Sequence, residues 1–406
     1  MVRPRGEGTR RVLRRTHLQV RLRPAADPLS PEEIAPYRLE KGDILFNRTN
    51  GSRELVGKCE VFDFDGDWVF ASYLIRLRID EAKAIPEFVT AFLNTYWGRR
   101  QVEHVSRQIL MSNINTEEIR ALRVPLPKPP KQRDLLAALD AARAARRRKL
   151  DEAESLLGGL DAFVLEALGL SLPPPDGRTV YAVRLRDVER ARFDPHFFRP
   201  EYRELSRRFA KIPHRPLGRL VRLSHEVWSA GESDAATFRY IEISGVNTTT
   251  GEATAVETPV AEAPSRARMQ VRRGDVIVSL TRPHYGAIAA IDESLDGCIA
   301  STGFAVFRDA LVDNLDRSYL WTILRCQMTL MQFQQRSSGG NYPAITEEEL
   351  ERVLVPVPDP ATQKKIAAEV SRRRDAARRL REEAALLWDE AKRRFEEELL
   401  GPSGRS

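Results

Sequence analysis

One short segment occurs twice in the chain, and its repetition decides the fold. Lys41-Gly42-Asp43-Ile44-Leu45-Phe46 returns 232 residues later as Arg273-Gly274-Asp275-Val276-Ile277-Val278. In both copies a basic residue, a glycine and an aspartate predict a tight turn, and the apolar run after them predicts a buried strand. Similarity at a fixed spacing is typical of a chain built by duplication.

Further pairs of segments repeat in the same order. Gly57 and Ala71-Ser72 recur as Gly286 and Ala300-Ser301, and Gly169 recurs as Gly401. Three more pairs share an offset of 231: 114–119 with 345–350, 124–127 with 355–358, and Gln132 with Gln363. Because the order is kept and the offset changes by only three residues, we expect two halves, each a mixed α/β domain followed by a proline-marked long helix.

Both halves end in a heptad pattern, in which the seam positions alternate in steps of four and three. They are Leu135, Leu139, Ala142, Arg146, Lys149, Ala153, Leu156 and Leu160, and Ile366, Val370, Arg373, Ala377, Leu380, Ala384, Leu387 and Ala391. Two such helices, each on the order of 55–60 Å long, are predicted to pair antiparallel. The charged seam positions either leave part of the apolar face to a partner or extend to solvent.

These features predict an α+β protein with internal pseudo-twofold symmetry, in which two tandem mixed α/β domains are separated by two long antiparallel coiled-coil helices. We place the first domain at 1–130, the first helix at 131–170, a linker and the second domain at 171–360, and the second helix with its tail at 361–406. Residues 179–231 have no counterpart in the first half, so the first domain is expected to lack roughly fifty residues.

Composition narrows the possible functions. Lys and Arg total 65 against 58 acidic residues, a formal charge of +7 that favours polyanionic partners such as nucleic acid, although an ordinary surface can carry the same excess. The chain has no apolar run of about 18 residues and no signal-peptide pattern, so we expect no membrane span and a cytoplasmic location. Cys59, Cys298 and Cys326 have no metal-ligand or disulfide spacing and are predicted to be buried thiols.

Catalytic patterns are nearly absent from the sequence. It contains neither a GxxxxGK[ST] phosphate loop nor a GxGxxG dinucleotide pattern. Asp194-Pro195-His196-Phe197 partly matches the Asp/Asn-Pro-Pro-Tyr/Phe loop of amino-methyltransferases, but His196 replaces the second proline. The chain is therefore predicted to be non-catalytic, with no metal and no cofactor of its own.

Two loops in each half carry polar and Arg side chains that suit contacts with DNA bases and phosphates. The loops after the repeated strands contribute Asn47, Arg48, Thr49, Asn50, Ser52 and Arg53, and Thr281, Arg282, His284 and Tyr285. The loops before the proline-marked helices contribute Arg107, Ser112 and Asn113, and Arg336, Ser337, Gly340 and Asn341. The first pair of loops is predicted to read bases and the second to clamp the backbone. The alternative for the first pair is a plain hairpin turn.

On these residues the sequence resembles the specificity subunit of type I restriction-modification enzymes. The resemblance rests on the Lys/Arg-Gly-Asp-hydrophobic strand, the downstream glycine, the Ala-Ser pair and the Val-Pro-hydrophobic-Pro step with its Gln and long helix, all present twice. It covers nearly the whole chain from about Leu29, and 193–202 is similar to the family's link between the first helix and the second recognition domain.

The resemblance implies two target-recognition domains that each read half of a bipartite double-stranded DNA target, with the helices fixing the unread spacer. It also implies methyltransferase (modification) subunits that carry S-adenosylmethionine and dock along the helices, and restriction/translocase subunits that join them. Two alternatives stay open. The chain could serve another effector, such as a type IIG-like enzyme or a phage-defence complex, or it could be a truncated orphan that binds partners without reading DNA.

Overall fold

The computed structural model describes residues 9–12, 19–24, 35–49, 55–105, 113–178, 180–189 and 193–401. The chain divides into unit 1, Met1–Asp151 with Leu380–Ser406, and unit 2, Glu152–Arg379. No helix in these described ranges is long and apolar enough to cross a membrane.

Unit 1 contains two antiparallel three-stranded sheets, with strand orders β1-β2-β5 and β4-β3-β6. Its elements are β1 Thr9–Val12, β2 Gln19–Pro24, β3 Ile44–Asn47, β4 Cys59–Val61, β5 Trp68–Phe70, β6 Leu74–Leu77, α1 Pro86–Leu93, α2 Tyr96–Val105, α3 Thr116–Arg120 and most of α4, Pro129–Gly158. β3 is buried throughout because Ile44 and Phe46 pack towards α1 and α4 while Leu45 packs into a second cluster on the other face.

Unit 2 contains sheets with strand orders β13-β12-β15-β8, β10-β9-β14-β11 and β16-β7. Its helices are α5 Leu160–Ala167, α6 Leu185–Glu189, α7 Pro200–Phe209, α8 Arg317–Arg325, α9 Gln327–Arg336, α10 Glu347–Glu351 and the first half, 360–379, of α11, Pro360–Leu400; the second half of α11 belongs to unit 1. Its strands are β7 His214–Pro216, β8 Val221–Leu223, β9 Thr237–Ile241, β10 Val256–Pro259, β11 Ala267–Gln270, β12 Val276–Ser279, β13 Ile288–Ala290, β14 Ile299–Ser301, β15 Phe304–Ala310 and β16 Leu354–Pro356.

The two long helices run antiparallel inside each unit. In unit 1 the Nζ of Lys131 lies 2.8 Å from a carboxylate oxygen of Glu398, and that of Lys149 lies 2.6 Å from Glu383. In unit 2 a guanidinium nitrogen of Arg373 donates to the carbonyl of Gly159 at 3.3 Å. Lys149 and Arg373 are both seam positions, and each is ion-paired, Arg373 with a carboxylate of its own helix. Their charges are therefore compensated within the helices.

The sequence predicts an unbroken helix from 131 to 168, and the structure differs there. α4 ends at Gly158 and α5 begins at Leu160. Gly158-Gly159 explains the break, since glycine has the lowest helix propensity after proline. The ends of both helical segments do correspond, because Gly169 and Gly401 terminate them at φ +65° and +82°, a left-handed conformation that favours glycine.

The repeated turn has the same geometry in both units. Gly42 and Gly274 have φ of +93° and +90°. The carboxylates that follow them, Asp43 and Asp275, are buried, and each accepts a hydrogen bond from the main-chain N–H three residues earlier. Arg78 in unit 1 and Arg308 in unit 2 bind these carboxylates at 2.8 Å. Since a buried charge needs a partner, the repeated aspartate is a structural residue.

The repeated glutamine is also structural. Gln132 and Gln363 are fully buried in the first turn of α4 and α11. Each side-chain carbonyl accepts from a main-chain N–H, that of Ile85 at 2.9 Å and that of Asp316 at 3.0 Å, and each amide donates to two main-chain carbonyls. The glutamine therefore fixes the start of the long helix on its own domain.

All three cysteines are buried and free, as the sequence predicts. Burial raises the pKa of the Cys59 and Cys326 thiols well above the usual value, and so keeps them protonated. Among the described residues, no group of three or more His, Cys, Asp or Glu side chains is arranged to hold a metal ion.

Candidate nucleic-acid interface

In unit 2 the loop after β12 and the loop before α10 form one continuous surface. Thr281 and Ala344 make an antiparallel bridge, the N–H of Arg282 donates to the carbonyl of Pro343 at 2.7 Å, and the N–H of Ile345 donates to that of Leu280 at 2.9 Å. We define the Arg282 surface as Arg282, Tyr285, Gly340, Asn341 and Tyr342. The sequence predicts both loops as DNA contacts, and the structure brings them together.

Arg282 is the centre of this surface. Its guanidinium donates to the carbonyl of Asn341 at 2.6 Å and lies 4.3 Å from the ring centroid of Tyr342 and 5.9 Å from that of Tyr285. The two tyrosines are 71% and 60% exposed. A planar cation between two accessible rings can hydrogen-bond to a base edge or a phosphate while the rings pack against sugar or base.

The backbone of Arg282 is left-handed, with φ +49° and ψ +49°. In the described part of the chain it is the only non-glycine residue with a positive φ. This conformation costs an L-residue roughly 1–2 kcal/mol and persists only where surrounding contacts impose it. Two contacts impose the left-handed conformation here. One is the bridge to the second loop, and the other is the following turn, in which the N–H of Tyr285 donates to the carbonyl of Arg282.

His284 packs against Tyr285, one of the residues of the Arg282 surface. It is half-buried, its ring meets that of Tyr285 edge-to-face at 4.6 Å, and its Nδ1 has no hydrogen-bond partner among the described residues. Burial lowers the pKa of His284, and the nearby charges of Arg282 and His196 lower it further. A neutral imidazole at this place orients Tyr285 and adds no cation of its own.

The remaining predicted residues of the second loop differ in accessibility. Arg336 binds a carboxylate oxygen of Glu349 at 2.8 Å, and Ser337 is buried and donates to the carbonyl of Phe333 at 2.7 Å. Gly340 and Asn341 are exposed. The first two therefore hold the loop to α9 and α10, and the last two lie on its accessible side.

Unit 1 repeats the connection between the two loops. Thr49 and Asn113 form the bridge, the N–H of Ile114 donates to the carbonyl of Arg48 at 3.0 Å, and the Nε of Arg48 donates to the Oδ1 of Asn113 at 3.4 Å. Asn47 is only 2% exposed because it is the last residue of β3. The other predicted residues of unit 1 lie outside the described residues: Asn50, Ser52, Arg53, Arg107 and Ser112.

Two features of the site have no clear sequence signal. Tyr342 follows Gly339-Gly340-Asn341, but its ring position over Arg282 depends on the bridge between the loops. The second feature is Arg325. Its guanidinium donates to the carbonyls of Gly286, Ile288, Thr248 and Thr249 and so stabilises the turn next to the Arg282 surface. Burial and the charge of Arg374 lower the pKa of Arg325 to about 10, so the side chain stays charged at neutral pH.

The known proteins that this chain resembles in sequence are all type I restriction specificity proteins. Residues 236–376, which contain the Arg282 surface, match the family described as the type I restriction modification DNA specificity domain. The specificity subunit of the type I restriction enzyme StySPI from Salmonella potsdam is 32% identical over 114 residues, 28% of this chain. The putative type I restriction enzyme MjaX specificity subunit from Methanocaldococcus jannaschii is 28% identical over 115 residues. The matched part spans about a quarter of the length of these curated relatives.

A solved chain of a type I R-M system, studied for complex assembly and conformational transition, has a similar fold. The TM-score is 0.50 at 18% identity, and the alignment covers 89% of this chain and 81% of that chain. The family match, the curated relatives and the duplicated architecture agree with one another. This chain is therefore similar to type I restriction-modification specificity subunits, and the sequence likeness to the family model lies in residues 236–376.

Proposed function

We propose that this chain is the non-catalytic DNA-reading subunit of a type I restriction-modification complex, in which each unit reads one half of a bipartite double-stranded target. The observation that carries this proposal is the Arg282 surface, in which a half-buried cation lies beside two exposed aromatic rings and a bridge between two loops holds them together. The same bridge in unit 1 holds Arg48 beside Asn113.

The residue types of this surface suit direct readout. An Arg fork matches the O6 and N7 of guanine, and an Asn carboxamide matches the N6 and N7 of adenine. The exposed Asn341 and Gly340 let a phosphate approach the main chain closely. The overall charge of +7 favours encounter with DNA.

The long helices are the proposed spacer and docking platform. α4 with α5 and α11 would set the distance between the two recognition domains, which we place at 1–130 and 171–360. Methyltransferase subunits carrying S-adenosylmethionine would dock along these helices, and restriction/translocase subunits would join to cut DNA. This assembly would act on chromosomal DNA in the cytoplasm.

DNA binding by variants of the complex tests the proposal. The chain is purified with the modification subunit encoded beside it, and fluorescence anisotropy measures affinity for target and non-target duplexes at one fixed salt concentration. Arg282→Ala should weaken target binding about tenfold or more, since one bidentate base contact contributes roughly 1–3 kcal/mol. Arg207→Ala, which removes an exposed arginine of α7, is the matched control and should leave affinity unchanged. Equal affinities for the Arg282 variant and the wild-type chain would contradict the proposal.

A second candidate is an orphan subunit that binds partners without reading DNA. It is favoured by one observation, that the described part of unit 1 has no counterpart of β7 and β8. A complex with modification subunits that binds target and non-target duplexes equally would support it. A subunit serving another effector would instead keep specific DNA binding and copurify with a different enzyme.

A further inference from the structure

The same repeated segment is paired with a strand in unit 2, whereas in the described part of unit 1 one of its edges has no strand partner, and we call this the open edge. In unit 2, β16 pairs antiparallel with β7, and Val353 and Val355 are fully buried. At the repeat offset these residues correspond to Leu122 and Val124, which are only half-buried, and the next outward residue, Leu126, is 50% exposed. Among the strands that the structure describes, none pairs with 122–126.

The backbone of this segment is nonetheless held in the same way in both units. In unit 1 the N–H of Arg123 donates to the Oε1 of Gln101 at 2.8 Å, and the amide of Gln101 donates back to the carbonyl of Arg123 at 3.0 Å. In unit 2 Gln332 makes the same two bonds with Leu354, at 2.8 and 2.9 Å. The edge that faces the glutamine is thus held by the same two hydrogen bonds in both units. The opposite edge of 122–126 therefore corresponds to the edge of β16 that pairs with β7.

The main-chain hydrogen bonds that β16 makes with the chain around β7 identify the equivalent main-chain groups of 122–126 in unit 1. In unit 2 the N–H of Leu217 donates to the carbonyl of Val353 at 2.8 Å, and the N–H of Val357 donates to that of Pro213 at 2.9 Å. The equivalent groups in unit 1 are the carbonyl of Leu122 and the N–H of Leu126. These are the main-chain groups that an added strand would use.

Beside the open edge lies a cleft of about 550 Å³, lined by Trp97, Arg100, Gln101, His104, Leu122 and Arg123. Since Gln101 on α2 matches Gln332 on α9, the cleft corresponds to the face of α9 that α7 covers in unit 2. There Leu205 and Phe209 of α7 are buried in one core with Phe333, and the amide of Gln335 donates to the carbonyl of Phe197 at 2.9 Å.

We infer that this edge of unit 1 binds a helix–strand segment with the chemistry of residues 195–217 of this chain. Its amphipathic helix, with aromatic and leucine side chains on one face, covers the cleft, and its extended part adds a strand to 122–126. The inference rests on the internal repeat and does not depend on the proposed DNA reading.

A labelled peptide tests the inference on the full chain. A fluorescein-labelled peptide with the sequence of residues 195–217 should bind with saturable one-to-one stoichiometry in fluorescence anisotropy. Leu126→Asp should weaken binding at least tenfold, because it places a charge against the apolar face of the peptide. Leu386→Asp, the same change at an exposed position of α11, is the matched control and should bind as the wild-type chain does.

A second measurement separates loss of binding from loss of folding. Hydrogen exchange should show new protection of the amides of Val124 and Leu126 when the peptide is added, and a peptide carrying Leu205→Asp and Phe209→Asp should give none. Absence of binding by the wild-type chain, or binding that survives Leu126→Asp, contradicts the inference. A chain that dimerises through this edge and ignores the peptide assigns the face to a second copy, which also contradicts it.

Discussion

Arg282 shows how a single residue is held in a conformation that its sequence neighbours do not favour. Its left-handed backbone sits between two loops, and its side chain is fixed by a carbonyl and two aromatic rings. Glycine adopts this backbone without strain. An arginine there implies that its side chain serves a purpose other than folding.

Comparing two substitutions at this position separates strain from function. The Arg282→Gly variant should be more stable than the Arg282→Ala variant by about 1 kcal/mol, because glycine adopts the left-handed backbone without strain. Both variants should lose target affinity by about tenfold, since both remove the guanidinium. Urea denaturation measures the first effect and anisotropy the second. Wild-type affinity in the glycine variant would show that the side chain contributes nothing to binding.

The repeated glutamines give a prediction about stability. Gln363→Ala should lower the free energy of unfolding by about 2 kcal/mol, because it leaves three partly buried main-chain groups without their side-chain partner. Gln132→Ala should have a similar effect through the equivalent contacts. Gln327→Ala, at an exposed position, is the control and should change stability by less than about 0.5 kcal/mol. If Gln363→Ala also changed the free energy of unfolding by less than about 0.5 kcal/mol, water would have replaced these contacts.

At the scale of elements, the sequence predicts what depends on local pattern. The turns at Gly42 and Gly274, the strands after them and the long helices all follow from residues close together in the chain. The break at Gly158-Gly159 was not predicted, although two adjacent glycines signal it. The different states of 122–126 and β16 could not be predicted from their similar sequences, because a strand requires a partner, and among the described strands only β7 of unit 2 provides one.

Two glycines of the first helical segment should respond oppositely to alanine. Gly158→Ala should stabilise the chain by about 1 kcal/mol, because nothing lies within 4 Å of the added Cβ and alanine favours helix. Gly169→Ala should destabilise it by about 1 kcal/mol or more, because φ is +65° there. Thermal denaturation of the two variants checks both signs. The same sign for both would contradict the helix ends described above.

At the scale of the whole molecule, the sequence predicts the duplication from ordered short matches, and the family match covers residues 236–376, which lie in its second half. The partners within the site could not be predicted in the same way. Arg282 and Tyr342 are brought together by the bridge between Thr281 and Ala344, and Asn47 is buried by its position at the end of β3. Such contacts depend on tertiary structure, which residue type and spacing do not specify.

The proposed role of the long helices predicts a change of target geometry. Insertion of seven residues into α4 and seven at the facing level of α11 keeps the heptad phase and lengthens the pair by about 10 Å, close to three base pairs of B-DNA. The unread spacer of the target should lengthen by about three base pairs while both recognised halves stay the same. Insertion of seven residues into α4 alone is the control and should abolish specific binding. An unchanged spacer in the double insertion would contradict the role of the helices.

Reading of a bipartite DNA target is the central claim, and mapping of N6-methyladenine by single-molecule sequencing tests it most directly. The chain is expressed with the modification subunit encoded beside it, as wild type and with the 279–285 loop replaced. We predict a bipartite methylated sequence of which only one half changes when the loop is replaced. A stable complex that methylates no defined sequence, or a target that the replacement leaves unchanged, would contradict the account.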